Sequence, residues 1–187
     1  MTALLLSGLL FFTADTLQAQ RPSDKENQAI EGWWIRAIHD AGQTYEVVAM
    51  DAQGKIHPVR AIEDYAQSYI MEIVAWVDEL PYSVKILHEG KDARRVAAIG
   101  PEGKILTLWA KLGDDEYLPV MGTERVGYII NVKAVHPESG EIIAVKALSP
   151  AGKLRDVKGV KMYEKDIESS WLGVDIQAHV VALPQIP

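Results

Sequence analysis

The stretch VKAVHPESGEIIAVKALSPAGKLRDVKGVKM, Val132 to Met162, decides the fold. It holds three near-copies of one motif, VKAV at Val132, VKAL at Val145 and VKGV at Val157, spaced 13 and 12 residues apart. Between them lie HPESG and SPAG. Twelve residues accommodate a strand of about seven plus a tight turn. Proline at the second position and glycine at the fourth suit a type I turn closing a hairpin with a bulge. Such short links force antiparallel pairing, because a parallel crossover needs about a dozen residues or more.

Working outward, the same rhythm covers the chain. IRAI at Ile35, VVAM at Val47 and VRAI at Val59 keep the step of 12, as do VKIL at Val84, VAAI at Val96 and LWAK at Leu108. The turn pair Gly54-Lys55 recurs as Gly103-Lys104 and Gly152-Lys153, 49 and 49 residues apart. His39 recurs as His88 and His136. Divergent segments starting at Tyr69, Tyr117 and Trp171 supply a fourth strand to each unit. The expectation is an all-β fold of three units of about four antiparallel strands. Closure with pseudo-threefold symmetry, as in a β-trefoil or a β-prism, removes the exposed edges. An irregular sandwich or an open meander is the alternative.

Composition sets outer bounds. The chain has 187 residues, 48% of them hydrophobic, which suits one globular domain over 33–187. Its net charge of −7 argues against a nucleic-acid partner. No apolar run is long enough to span a bilayer as a helix. Residues 1–19, with the apolar run Ala3 to Phe12, read as a secretory signal cleaved after Ala19; a buried strand or helix is the alternative. Residues 20–32 read as a polar leader. The protein is therefore expected to be secreted or periplasmic. There is no cysteine, so disulfides, thiolate nucleophiles and thiolate metal sites are excluded together.

The iterated VKAV, VKAL and DVKGVK, closing in AHVVALPQ, resemble a group of small exported bacterial proteins of unknown function built from repeated V-K-A-[IVL] hairpins. The resemblance covers about residues 33–185 and is strongest in the third unit. Arg36 and Arg60 depart from it, as does LWAK at Leu108. It implies export and a repeat architecture, and carries no activity with it.

Three constellations could bear chemistry. His39, His88 and His136 would meet at a metal if the units closed around one axis; as strand-end residues entering turns, they would instead cap backbone groups. Trp33, Trp34, Tyr65 and Tyr69 are candidate stacking plates for a sugar, with Glu63, Asp64 and Gln67 beside the tyrosines. The basic stripe Arg36, Arg60, Lys85, Lys133, Lys146 and Lys158 reads as a half-solvated sheet face, or as a surface for acidic glycans or other polyanions. The small residues Ala37, Ala49, Ala61, Ala98, Ala110, Ala134, Ala147 and Gly159, with Ile86 as the exception, read as packing. No cofactor signature and no motif pairing a nucleophile with a base is present. The function expected is a non-catalytic exported module binding carbohydrate or a cell-envelope component. A structural repeat protein and a hydrolase with distributed carboxylates are the alternatives.

Overall fold

In the computed structural model, residues 33–63, 69–89, 93–161, 170–171 and 174–184 are described; the expected signal, the polar leader and Tyr65 lie outside them. The described residues form β1 (Trp33–Ile38), β2 (Thr44–Met50), β3 (Ile56–Glu63), β4 (Met71–Val77), β5 (Leu80–Glu89), β6 (Ala93–Ile99), β7 (Ile105–Lys111), β8 (Tyr117–Val126), β9 (Ile129–Val135), β10 (Ile142–Leu148), β11 (Leu154–Val160), β12 (Ser170–Trp171) and β13 (Val174–Leu183). All pairings are antiparallel within one sheet that closes on itself, as the short links require. The short β12 pairs with β13.

The hairpin turns form as their residues dictate. Gly54 and Gly152 donate back to the carbonyls of Asp51 and Ser149, 3.0 Å each, and both glycines have φ of 79°. That conformation is strained for any residue with a Cβ. The Asp51 carboxylate and the Ser149 hydroxyl accept the amides of Lys55 and Lys153, 2.9 and 2.8 Å, and so tie off the turns.

Closure follows a rule that the linear period does not reveal. The twelve long strands meet in groups of three, and within each group every strand pairs with both others. The groups are β1–β2–β3, β6–β7–β8, β9–β10–β11 and β4–β5–β13. Each strand gives one half of its length to each neighbour in its group. Its other edge pairs with a strand of a different group, through β1–β10, β2–β7, β3–β4, β5–β6, β8–β9 and β11–β13. Every group is thus joined once to each of the others, a tetrahedral connectivity. The four-strand unit suggested by the 49-residue period is not the unit of pairing. The first and third units pair their first and third strands, whereas the second unit pairs its second and fourth.

The motif explains the arrangement. At the centre of each three-strand junction sit three branched aliphatic residues: Ile35, Val47 and Val59; Val96, Leu108 and Val120; Val132, Val145 and Val157; and Ile73, Val84 and Val180. All are buried. Two residues later on each strand, on the same face, comes a buried Ala or Gly, except at Ile86. Across each pairing between groups the two kinds alternate, as in Ile35 opposite Ala147 and Ala37 opposite Val145. Large meets small in all six pairings, with Ile86 opposite Val96 the one exception, and this fills a narrow interior at native density. At Ile86 the larger side chain is matched by glycines. A Cβ on Gly159 would lie 2.2 Å from Ile86 Cδ1, and one on Gly122 would lie 3.1 Å from Ile86 Cγ2. The Ala column is packing, as expected.

Candidate functional site

With the interior spent on packing, functional groups must be sought on the outward face. Outward positions are the residues just before and just after each junction centre, and the register sets which meet. The residue after the centre on one strand faces the residue before the centre on the next. All six members of the basic stripe occupy the position after a centre. Arg36 faces Glu46 and forms an ion pair of 3.6 Å. Arg60 faces Trp34 and is buried; desolvation and nearby Arg36 push its guanidinium down to about 10, so it keeps its charge at neutral pH. Lys85 faces His179 and hydrogen-bonds its Nδ1. Lys146 faces Asp156 and is salt-bridged to it. Lys158 faces Asn131 and donates to Oδ1 at 2.8 Å. Lys133 faces Ala144, a methyl group.

The β9–β10–β11 junction therefore concentrates three lysines around one centre, alternating with Asn131, Ala144 and Asp156. Each lysine is the middle residue of a V-K-A or V-K-G copy. All are half-buried, with their stems lying along the sheet. Lys133 makes no hydrogen bond or ion pair with any described residue. Partial burial and the neighbouring Lys158 and Lys146 ammonium groups lower its pKa, against weaker support from Asp156 and Asp40. Burial alone would raise the Asp156 carboxyl, but the Lys146 hydrogen bond and the surrounding lysines hold it below its ordinary value. The junction is rich in positive charge in a chain whose net charge is −7.

The β4–β5–β13 junction carries a different set. The Ser83 hydroxyl donates to Glu72 Oε1 at 2.6 Å. Desolvation lowers the Lys85 and His179 pKa values, and the Lys85 ammonium lowers that of His179 further; Glu72 opposes both shifts. His179 is thereby kept neutral at pH 7 as an acceptor for Lys85. The outward residues Val74 and Leu87 on this junction's own strands, and Val48, Arg60 and Ala97 on β2, β3 and β6, are buried. The lysine junction is the more open surface.

The aromatic candidates separate. Trp33 is half-buried against the core, and the Arg155 guanidinium stacks over its ring, 4.8 Å from the centroid. Arg155 also donates to the Tyr69 carbonyl at 3.4 Å, so Trp33 and exposed Tyr69 share one arginine. Trp34 is half-buried and follows Trp33 directly along β1, so alternation sends it to the other face. The histidines cap turns. His39 Nδ1 accepts the Ala41 amide at 3.1 Å while Nε2 meets Glu141 at 2.6 Å, and His136 Nδ1 accepts the Ser139 amide at 3.2 Å. His88 lies on β5, in register with Arg94 and Asp175. Among the described residues no group of three or more His, Asp or Glu is placed to hold a metal. The basic stripe was legible in the sequence; which of its lysines has no hydrogen bond or ion pair to a described residue was not, because only the register sets Ala144 beside Lys133.

A family of unknown function, DUF7486, matches residues 29–183, and the chain belongs to it. No curated protein and no solved structure matches the chain.

Proposed function

We propose that this protein is a non-catalytic exported module that binds an acidic carbohydrate or another cell-envelope component on its outer face. The observation that carries this reading is the division of labour in the sheet. The inward residues are wholly committed to interlocking aliphatic and small side chains, which leaves recognition to the outward positions. There, the β9–β10–β11 junction presents clustered, half-exposed positive charge. Lysines spaced along a sheet face suit a partner that offers negative charge. The apolar run Ala3 to Phe12 and the following small residues support export, and so does the resemblance of the V-K-A hairpins to those of small exported bacterial proteins.

A glycan array probed with the protein from Gln20 onward tests the binding reading. Retention on acidic glycans, weakened by salt, is the expected result. Absence of binding to every class would shift the reading to a structural repeat protein. Export is tested separately by mass spectrometry of protein recovered from the medium or periplasm of a bacterial host. The expected mature start is Gln20; folded protein that keeps residues 1–19 would overturn that part.

A further inference from the structure

We infer that the β9–β10–β11 junction is a binding site for a multiply charged oxyanion, a phosphate or sulfate group, seated against Lys133 in the gap left by Ala144. The inference rests on the envelope-binding reading above and names the group that would be recognised.

The outward face follows one pairing rule. At this junction each lysine stands opposite the residue that precedes the centre of the neighbouring strand. Asp156 fills that role for Lys146, and Asn131 fills it for Lys158. The third place is occupied by Ala144, opposite Lys133. A methyl offers the ammonium no acceptor and takes up little room. The site therefore has two internal partners for three lysines, and only a methyl group where the third would stand.

The electrostatics agree with the geometry. Lys133 is crowded by two like charges, and no described residue forms an ion pair with it. An anion in the gap would relieve the repulsion among the three ammonium groups and supply Lys133 with acceptors. Three convergent lysines favour a group carrying several charged oxygens over a single carboxylate. Each lysine contributes a point charge with freely rotating donors, which suits the many oxygen directions of a phosphate or sulfate. Asp156 would repel an anion directly above it, but it is engaged by Lys146. This places the ligand on the Lys133–Lys158 side of the junction. Asp40, the other acid sensed by Lys133, lies in the exposed β1–β2 turn and marks the rim.

The test uses the whole chain from Gln20, titrated with inorganic phosphate and with sulfate, and with an envelope polymer bearing phosphate esters and its dephosphorylated form. Lysine side-chain NMR reads the Lys133 pKa, and calorimetry reads affinity. The expected result is that the Lys133 pKa rises on addition of the anion. Lys133→Gln should weaken binding about tenfold or more, as loss of one charge-assisted contact predicts. The control Lys55→Gln, in a turn on another part of the sheet and paired with Asp78, should change nothing. Ala144→Asp supplies the missing partner from within the protein. It should raise the Lys133 pKa without ligand and abolish anion binding.

Binding of both free anions and polymer supports a site for the group itself. Binding of the polymer but not of its dephosphorylated form assigns the group to an envelope ester. Anion affinity unchanged by Lys133→Gln, or no affinity for either anion or for the phosphate-bearing polymer, would overturn the site. The wider reading is separable. Recognition of neutral glycans with no affinity for either anion or the phosphate-bearing polymer would remove this site and keep the envelope module. Anion binding with an empty glycan array would keep the site and remove the carbohydrate reading.

Discussion

The β9–β10–β11 and β4–β5–β13 junctions are built alike on the inside and differ on the outside. Each has three branched aliphatic residues at its centre, with small residues following: Ala134, Ala147 and Gly159 in one, Ala75 and Ala182 in the other. The second junction breaks the pattern with Ile86, and the first compensates with Gly159, whose missing Cβ is the space that Ile86 Cδ1 occupies. Outside, the first holds three lysines and one carboxylate. The second holds Glu72, Ser83, Lys85 and His179, with its one lysine satisfied by a neutral imidazole. Interior positions are coupled across the molecule because the space is shared. Outward positions answer only to their nearest neighbours, so they are free to diverge and to carry function.

The sharpest way to break the comparison is to exchange its inner parts. Ile86→Ala should cost about 2–5 kcal/mol by leaving a cavity in a filled interior. Gly159→Ala should cost about 1–3 kcal/mol by overpacking. The double variant should lose less than the sum, since the new methyl enters the space vacated by the isoleucine. Denaturant melts of the three proteins measure this, and strict additivity would show that the two residues do not share space. Ala147→Leu tests the same column where no glycine faces it, with an expected loss of about 1–3 kcal/mol. An unchanged melting temperature would place that column in solvent.

The outer faces differ in their response to acid. His179 has a lowered pKa in the folded protein, so the unfolded chain takes up its proton first as pH falls. Its stabilising contribution is complete above the unfolded value near 6.5 and is lost as pH drops through and below it. Stability measured between pH 7.5 and 5 should therefore decline in the native protein and decline less in His179→Gln. A variant that keeps the full slope would locate the acid sensitivity elsewhere. The smallest effect is expected at Lys133. Removing one of three crowded ammonium groups with Lys133→Ala should leave stability unchanged or raise it by about 0.2–0.5 kcal/mol, because solvent screens the repulsion. A clear loss would mean that Lys133 has a structural partner.

Much of this was legible along the chain. The 12-residue step, the turn glycines and the alternation of Val with Ala specify strands, hairpins and an inner face, because these are local properties of seven-residue segments and tight turns. The closed all-β architecture followed from the need to cover edges. The turn role of His39 and His136 was also within reach, since an imidazole entering a turn can accept a nearby amide. The aromatic site was less accessible. That Trp33 lies under Arg155 depends on β1 and β11 approaching through β10, far apart in sequence.

What the sequence determined by itself is the unit: a strand with a branched residue, an outward residue and a small residue, used again and again. What the tertiary structure decided is which copies meet. The register across the six pairings between groups is the same, branched opposite small except where Ile86 meets Val96, so the motif alone does not choose which copies pair. The choice rests on features that act only at a distance, such as Ile86 needing Gly122 and Gly159. The candidate site arises in the same way. Every lysine of the stripe looks equivalent in the sequence, and only the assembled junction gives one of them a methyl group where the others have a partner.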